Sequence, residues 1–321
     1  MLQNLRVWFY HFGLAIFAVL NRWTGYPYQR LKFYKRHGYM LHLARPRSFS
    51  EKVIWKKTHD RNPLLPVVAD KLRVREYLAT VLGEIRAQEL LIPLLYATTE
   101  PRTIPFADLP DAYILKTTHS SGWNIIVDAE HPADPARIIA ECEGWLRQRY
   151  AVFKNEWAYD KITPRIIIEE LLSDPSGGIP HDHKFFVFHG RCELIQVDFN
   201  RQSNHARNMY DRDWQLLDFV RYRVRQGPDL PRPANLEKMR DLAEELGRDF
   251  DYVRVDLYSV GERIYFGELT HYPGSGMTRI QPRQFDFDLG KHWQIQPGYW
   301  NTQTVDTPDA GSSATKARTQ A

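Results

Sequence analysis

Cysteine is scarce in this chain of 321 residues: Cys142 and Cys192 are the only two, far apart and outside any CxxC spacing. That excludes a disulfide framework and a cysteine-built zinc site, and it fits a reducing cytoplasm. No GxxxxGK[ST] segment occurs, which excludes a Walker A phosphate loop, and no GxSxG elbow supports a hydrolase triad. Internal repeats and a sugar-nucleotide motif are also missing. The apolar run from Val7 to Leu20 is interrupted by His11 and Gly13. It falls short of the roughly 20 residues that a membrane span needs. It also lacks a small-residue cleavage site after its apolar core. Residues 5–20 therefore read as a helix that either packs on the protein body or lies against a membrane surface.

What is present is a folded, globular composition, 43% hydrophobic, 26% charged and 13% aromatic, long enough for two or three lobes around a sizeable core. Net charge is only +4, yet residues 1–60 hold eleven Lys/Arg against two acids, Glu51 and Asp60, so the remainder is net acidic. A basic N-terminus on an acidic body points to an anionic surface as partner. No recognisable reader module accompanies it, which argues against nucleic acid and leaves peripheral contact with the inner face of a membrane. Residues 302–321 have no hydrophobic periodicity and are expected to form a disordered tail.

The spacing of apolar residues predicts helices over 50–60, with a serine N-cap at Ser50, over 66–82, from Asp134-Pro135 to about Tyr150, and from Pro233 to about Leu246, ended by Gly247. Strands are predicted at Tyr113–Leu115, ending at Lys116, and at Arg165–Ile168. A hairpin of Lys184–Phe188 and Cys192–Val197 turns at His189-Gly190. Separate hairpins and helices imply an α+β fold rather than a doubly wound sheet.

The chemistry-bearing residues cluster in five places. Near the C-terminal end, Tyr252-Val-Arg254-Val-Asp256 and Phe266-Gly-Glu268-Leu-Thr270 alternate as the two arms of a hairpin, leading into Pro273-Gly274. Side chains two apart on a strand share a face, so Arg254 goes with Asp256 and Glu268 with Thr270. Carboxylates and a guanidinium facing one spot suit Mg²⁺ and phosphate, because Mg²⁺ takes one or two carboxylates plus substrate phosphates; a structural, salt-bridged hairpin fits the same pattern. Lys116 precedes the hydroxyl-rich turn Thr117-Thr118-His119-Ser120-Ser121-Gly122, whose backbone N–H groups could cover phosphates. Glu169-Glu170-Leu171-Leu172 follows a buried strand, Asp182 and Lys184 share a strand face, and Asp70-Lys71 opens a helical segment. His181 and His183 alternate like metal ligands but lack a third partner and read as structural. Of the arginines Arg201, Arg207, Arg212, Arg221, Arg223 and Arg225, Arg201 is the preferred contact for an anionic substrate, just beyond the strand that carries Asp198.

In this order, over about residues 45–295, these motifs resemble the ATP-grasp superfamily, and within it the TupA-like branch associated with bacterial cell-surface polysaccharide assembly. The resemblance implies two α+β lobes clasping ATP. It divides the chain into a basic, apolar helical segment (1–45), an N-terminal part of the ATP-grasp region (46–110), a small lobe with the phosphate loop (111–185), a C-terminal lobe with the Mg²⁺ site (186–298) and the tail (299–321). By the same resemblance, Lys71, Lys116 and Lys184 meet the ATP phosphates and Ser120, Ser121 and Gly122 cover them. Glu169, Glu170 and Leu172 form the hinge at adenine, and Asp182 meets the ribose. Asp256 and Glu268 hold Mg²⁺ with Thr270 beside them, and Arg254 and Lys184 serve the reaction, to which the reading of the arginine cluster adds Arg201. Thr270 stands where D-alanine–D-alanine ligase has an asparagine, which puts a second metal position in doubt. The first 110 residues look helical and lack a Gly-rich βα turn, so the acceptor site is expected to be built differently. The implied activity is ADP-forming, amide-forming ligation of a carboxylate-bearing acceptor, such as a cell-surface glycan or its precursor. A kinase of a glycan hydroxyl, a non-catalytic module of a polysaccharide assembly complex and a sugar transferase are the competing readings.

Overall fold

The computed structural model describes residues 23–301 apart from 149, 151–153, 175–176, 200–204 and 222–223. The apolar run over 5–20, the tail from 302 onwards, Arg201 and Arg223 lie outside the described residues.

Helices open the described chain: α1 (Pro27–His37), α2 (Phe49–His59), α3 (Leu64–Ala69), α4 (Val74–Leu82) and α5 (Glu84–Leu90). The start of α2 is set by a capping box, in which the Ser48 hydroxyl accepts from Glu51 N (3.1 Å) and the Glu51 carboxylate accepts from Ser48 N (3.1 Å). The cap is therefore Ser48, two residues before the expected Ser50, whose N–H and hydroxyl both donate to Asp286 instead. The single helix expected over 66–82 breaks at Asp70. Its backbone turns extended, and its carboxylate accepts from Leu72 N (2.9 Å), offering the chain a local alternative to helix. Lys71 thus sits in the turn between α3 and α4.

A four-stranded antiparallel sheet follows, from β1 (Leu94–Thr98), β2 (Tyr113–Thr117), β3 (Asn124–Val127) and β4 (Ile166–Glu170) in the order β1-β4-β2-β3. Helix α6 (Pro135–Leu146) is capped by Asp134 and ends before the expected Tyr150; its Ile138, Cys142 and Trp145 cover Leu115, Ile166 and Ile168. Glu169 and Glu170 belong to β4 rather than following it.

The second sheet holds β5 (Asp182–Phe188), β6 (Arg191–Phe199) and β7 (Ala206–Asp211), joined later by β9 (Tyr252–Val260) and β10 (Arg263–Thr270), in the order β10-β9-β5-β6-β7. The short strand β8 (Val220–Arg221) pairs with β11 (Ile280–Gln281), α7 (Leu236–Gly247) packs behind the large sheet, and α8 (Arg283–Lys291) is followed by a short 3₁₀ turn at Tyr299–Asn301. Among the described residues every pairing between these strands is antiparallel, apart from isolated parallel bridges at Leu91–Phe266 and Ala206–Arg225, so the architecture is α+β. The sheets do not divide at 111 and 185: β1 enters the small sheet earlier, and residues 182–185 are already in the large one.

One aromatic core joins helix and sheet. Phe49 of α2 meets Tyr252 edge-on at 5.1 Å, and Tyr252 packs on Trp293 at 4.6 Å and Phe188 at 5.0 Å. Helix α8 lies so close to the segment before α2 that a Cβ on Gly290 would stand 2.2 Å from the Arg47 carbonyl, which only glycine allows. Beneath this core Lys56 is fully buried between Asp60 (2.7 Å) and Asp251, and Asp251 also accepts from the Trp293 indole N–H (2.8 Å). The centre ties α2, β9 and the C-terminal segment together. Removing the ammonium leaves two buried carboxylates without their cation, so Lys56→Ala is expected to destabilise the fold by about 3–5 kcal/mol. Equilibrium denaturation checks this, and a loss below about 1 kcal/mol would show that the centre contributes little.

Candidate active site

The floor of the site is a row of side chains running across the large sheet. Glu268 on β10 stands opposite Asp256 on β9, Asp256 opposite Lys184 on β5, and Lys184 opposite Gln196 on β6. Directly opposed residues in antiparallel strands share a face. One step along, Thr270 stands opposite Arg254; on the other side, Tyr258, Asp182, Asp198 and Arg207 form the next row. The alignment depends on a bulge. Phe266 pairs with Leu257 but Glu268 pairs with Asp256, so Gly267 is the extra residue. In an unbulged ladder Gly267 would oppose Asp256, and Glu268 and Thr270 would point to the opposite face. A Cβ at Gly267 would lie 3.0 Å from the Asp256 carbonyl, so glycine suits the tight turn of the strand.

Arg254 grips this row. Its Nε and Nη2 donate to the two oxygens of Asp256 (2.6 Å each), and Nη2 also donates to Glu268 (3.0 Å) and to Thr270 (3.0 Å). The Thr270 hydroxyl donates to Glu268 at 2.7 Å. Lys184 is buried among three aspartates, bonded to Asp182, with Asp256 at 3.3 Å and Asp198 at 3.6 Å. Asp198 in turn accepts from Arg207 (2.6 Å), Gln196 (2.7 Å) and His205 (3.0 Å). Burial works against its charge, but Arg207 and Lys184 prevail and hold its carboxyl well below the usual range. Glu268 behaves alike: burial opposes ionisation, and Arg254 and Lys71 outweigh it, bringing the carboxyl down to about 2. For Asp256 the balance goes the other way. Burial, with Asp182 and Glu268 close by, raises it to about 6 against the pull of Arg254 and Lys184.

The small sheet supplies the roof. Lys116 on β2 bonds Glu169 on β4 at 2.8 Å, and the other Glu169 oxygen accepts from Arg75 of α4 at 2.7 Å. Burial disfavours the Glu169 charge, but the two cations win and its carboxyl is lowered. Glu169 is thus engaged by two cations. In the turn after β2, Thr117 to Ser120 are buried and Ser121 and Gly122 are exposed; Gly122 adopts the left-handed conformation (φ 85°). Lys71 donates to the Ser120 carbonyl and so anchors the turn. Floor and roof enclose a cleft of about 390 Å³.

Of the residues expected from sequence, Lys71, Lys116, Ser121, Gly122 and Glu169 line the cleft from above, and Asp182, Lys184, Arg254, Asp256 and Glu268 from below. Ser120 is buried and takes part through its backbone carbonyl, Glu170 is exposed at the end of β4, and Leu172 is half-buried beyond it; none of the three is among the residues lining the cleft. Thr270 faces an adjoining cavity. Arg75, Asp198 and Arg207 are charged lining residues that the sequence reading did not select, and Val74, Leu91, Ile92 and Phe266 form an apolar wall it did not foresee. Asp198 was not reachable by counting outward from the turn of the β5–β6 hairpin, which would set Val197 opposite Asp182; the register shift between Phe186 and Val187 brings Asp198 there instead. Arg75 and the apolar wall meet the cleft through long-range packing, which leaves no local signal.

Among the described residues no group of three or more His, Cys, Asp or Glu is arranged to hold a metal ion. Asp256 and Glu268 make a two-carboxylate oxygen set, already bridged by one guanidinium and hence within reach of one cation. That number suits Mg²⁺, which completes its shell with phosphate and water. His183 is buried with its imidazole pushed down to about 4, mainly by burial and then by His181, in keeping with a structural role.

A family model described as TupA-like ATPgrasp matches residues 51–294. No curated protein matches the sequence. Among solved structures the chain is similar to a D-alanine–D-alanine ligase from Bacillus anthracis complexed with ATP, at 14% identity over 64% of this chain and 54% of that one, TM-score 0.37. It is similar at 12% identity to the ATP-grasp ligase PsnB with a phosphomimetic variant of its minimal precursor, Mg and ADP, over 75% and 65% of the two chains, TM-score 0.39. A D-alanine–D-alanine ligase from Helicobacter pylori shows 12% identity over 71% and 62%, TM-score 0.38. The chain therefore spans 54–65% of the length of these three proteins.

The charge pattern has a pH signature. Glu268 is depressed to about 2 from an ordinary 4.5, so its ionisation stabilises the fold above pH 4.5, and this contribution disappears as pH falls from there towards 2. Glu268→Gln is expected to flatten the acid limb of the stability profile in this window. Denaturation midpoints at pH 5 and pH 3 check it; equal losses in wild type and variant would refute the coupling.

Proposed function

Because the chain belongs to the TupA-like ATP-grasp family, we propose that it is an ATP- and Mg²⁺-dependent, ADP-forming ligase that joins a carboxylate to an amine. The observation that carries the reading is the convergence of Lys71, Lys116, Lys184 and Arg254 with Asp256 and Glu268 on one cleft between the two sheets. Cations in such a cleft neutralise a triphosphate, and the exposed Ser121-Gly122 tip offers backbone N–H groups to cover it. The apolar wall of Val74, Leu91, Ile92 and Phe266 suits an adenine ring. Asp256 and Glu268 would hold the metal, which when bound supplies positive charge to the phosphates. Arg254, which donates to both acids, would face the reacting centre beside them.

In this reaction a carboxylate oxygen of the acceptor attacks the γ-phosphorus. The bond to the β–γ bridging oxygen breaks, and ADP leaves with that electron pair. The amine nitrogen next attacks the acyl carbon, orthophosphate departs, and the amine loses a proton to solvent. Arg254 stabilises charge on the transferring phosphoryl group and on the tetrahedral oxyanion, so the protein's part is positioning and charge neutralisation. For the acceptor, the family resemblance supports a carboxylate-bearing cell-surface glycan or its precursor. Among the described residues no helix is long and apolar enough to cross a membrane; peripheral contact through the basic N-terminus belongs to the same proposal.

Asp256→Asn and Glu268→Gln are each expected to cut Mg²⁺-dependent ADP release at least about 100-fold while the far-ultraviolet dichroism is kept. Hydroxylamine in place of the amine traps the activated carboxylate as a hydroxamate. ADP release that yields a phosphorylated hydroxyl and no hydroxamate would replace the ligase reading with a kinase.

A further inference from the structure

The floor residues Arg254 and Glu268 also line a second cavity, of about 630 Å³, that adjoins the proposed triphosphate cleft. The two share Ser121, Arg254, Glu268 and Gly274, so whatever fills the second cavity meets the first at the reacting centre. Their charge differs. The first cavity mixes six basic residues with five acidic ones, whereas the second has six basic residues, Lys32, Lys35, Arg36, Lys57, Lys154 and Arg254, against only Glu156 and Glu268.

Much of this excess comes from α1, which lies outside the family-matched residues 51–294. Tyr28, Lys32 and Lys35 follow one another at four- and three-residue steps, which puts them on one helical face. The helix is docked by the buried Phe33 and His37 on its other side and by Arg36 at the edge of the basic face. Arg36 donates to the Met277 carbonyl (3.0 Å), His37 Nε2 lies 3.1 Å from the Gly276 carbonyl, and Phe33 and His37 stack at 4.1 Å. Lys32 and Lys35 are exposed, and no described carboxylate pairs with either. Opposite them, Lys154 bonds the Tyr150 hydroxyl at 2.5 Å. At the base Lys57 is buried and donates to the Ser275 carbonyl (3.0 Å) and hydroxyl (2.8 Å). Burial, with Lys32 and Lys154 adding to it against Glu156, brings Lys57 down to about 8. So many like charges around one cavity repel each other unless an anion lies between them.

We propose that this cavity is the acceptor site and that the acceptor is a multiply charged anion, with its reacting carboxylate at Arg254 and further carboxylate or phosphate groups over Lys32 and Lys35. The identity of the reacting group rests on the ligase reading; the binding of further anionic groups does not. The helix that reads them lies outside the matched residues 51–294, and on this proposal α1 carries specificity for the acceptor.

Binding, rather than turnover, is the test. The full-length protein is titrated by calorimetry, with MgADP present, against galacturonate and its oligomers up to the hexamer, and against orthophosphate and linear polyphosphates. Affinity is expected to rise with charge number in at least one series, by about tenfold or more between monomer and hexamer. In Lys32→Glu/Lys35→Glu, and to a smaller extent in Lys32→Ala/Lys35→Ala, that gain disappears while MgADP binds as in wild type. The series that responds distinguishes carboxylate from phosphate as the recognised group. If neither series shows a gain with length, or if both double variants retain it, the proposal is overturned. ADP release measured separately keeps the two readings apart: intact anion binding without acceptor-dependent ADP release would remove the ligase and leave the anion site.

Discussion

Charge neutralisation inside the large sheet is the constraint on which the rest of this structure turns. Arg254 and Lys184 lie in the strands themselves, held by Asp182, Asp198, Asp256 and Glu268. Burying such ions costs several kcal/mol each, and only close, saturated pairing offsets it. An apolar row would pack the sheet as well or better, so this one is not explained by stability. Its geometry is what the chemistry proposed above requires: two carboxylates and two cations kept in fixed positions by strands rather than by loops.

Around that row the structure links three separate elements. The turn at Asp70-Lys71 reaches the Ser120 carbonyl, and Arg75, one turn further, shares Glu169 with Lys116. The helical segment is thereby tied to the roof by charged contacts, while its apolar face is packed with the large sheet's core. Contacts of this kind, charged and at the edge of a cleft, exchange partners more readily than an apolar core does, because the groups can trade one counter-charge for another. A triphosphate entering the cleft would compete with Glu169 for Lys116.

Much of the fold was legible because its signals are local. The β5–β6 hairpin follows from alternating apolar residues around His189-Gly190, and α7 from its 3.6-residue period, although it starts at Leu236 rather than Pro233 and includes Gly247 as its last residue. The errors have local causes too. Ser48 and Ser50 both precede an apolar run, and only the position of Glu51 three residues after Ser48 decides between them. Residues 66–82 keep a helical apolar period across Asp70, but that aspartate binds its own following N–H groups and breaks the run. Arg75, Leu91 and Phe266 reach the cleft from distant parts of the chain, so nothing in their neighbours marks them.

By itself the sequence determined which side chains go together two by two: the two-residue period of a strand puts Arg254 with Asp256 and Glu268 with Thr270, whatever the rest of the chain does. Whether these two pairs face each other was not in that pattern. A single extra residue, Gly267, shifts the register between β9 and β10, and in a ladder of period two a shift of one residue moves every later side chain to the other face. Only the folded pairing of the strands set that count, and with it placed both acids on the side of the cleft that Lys116 of the small sheet and Lys71 of the α3–α4 turn also line.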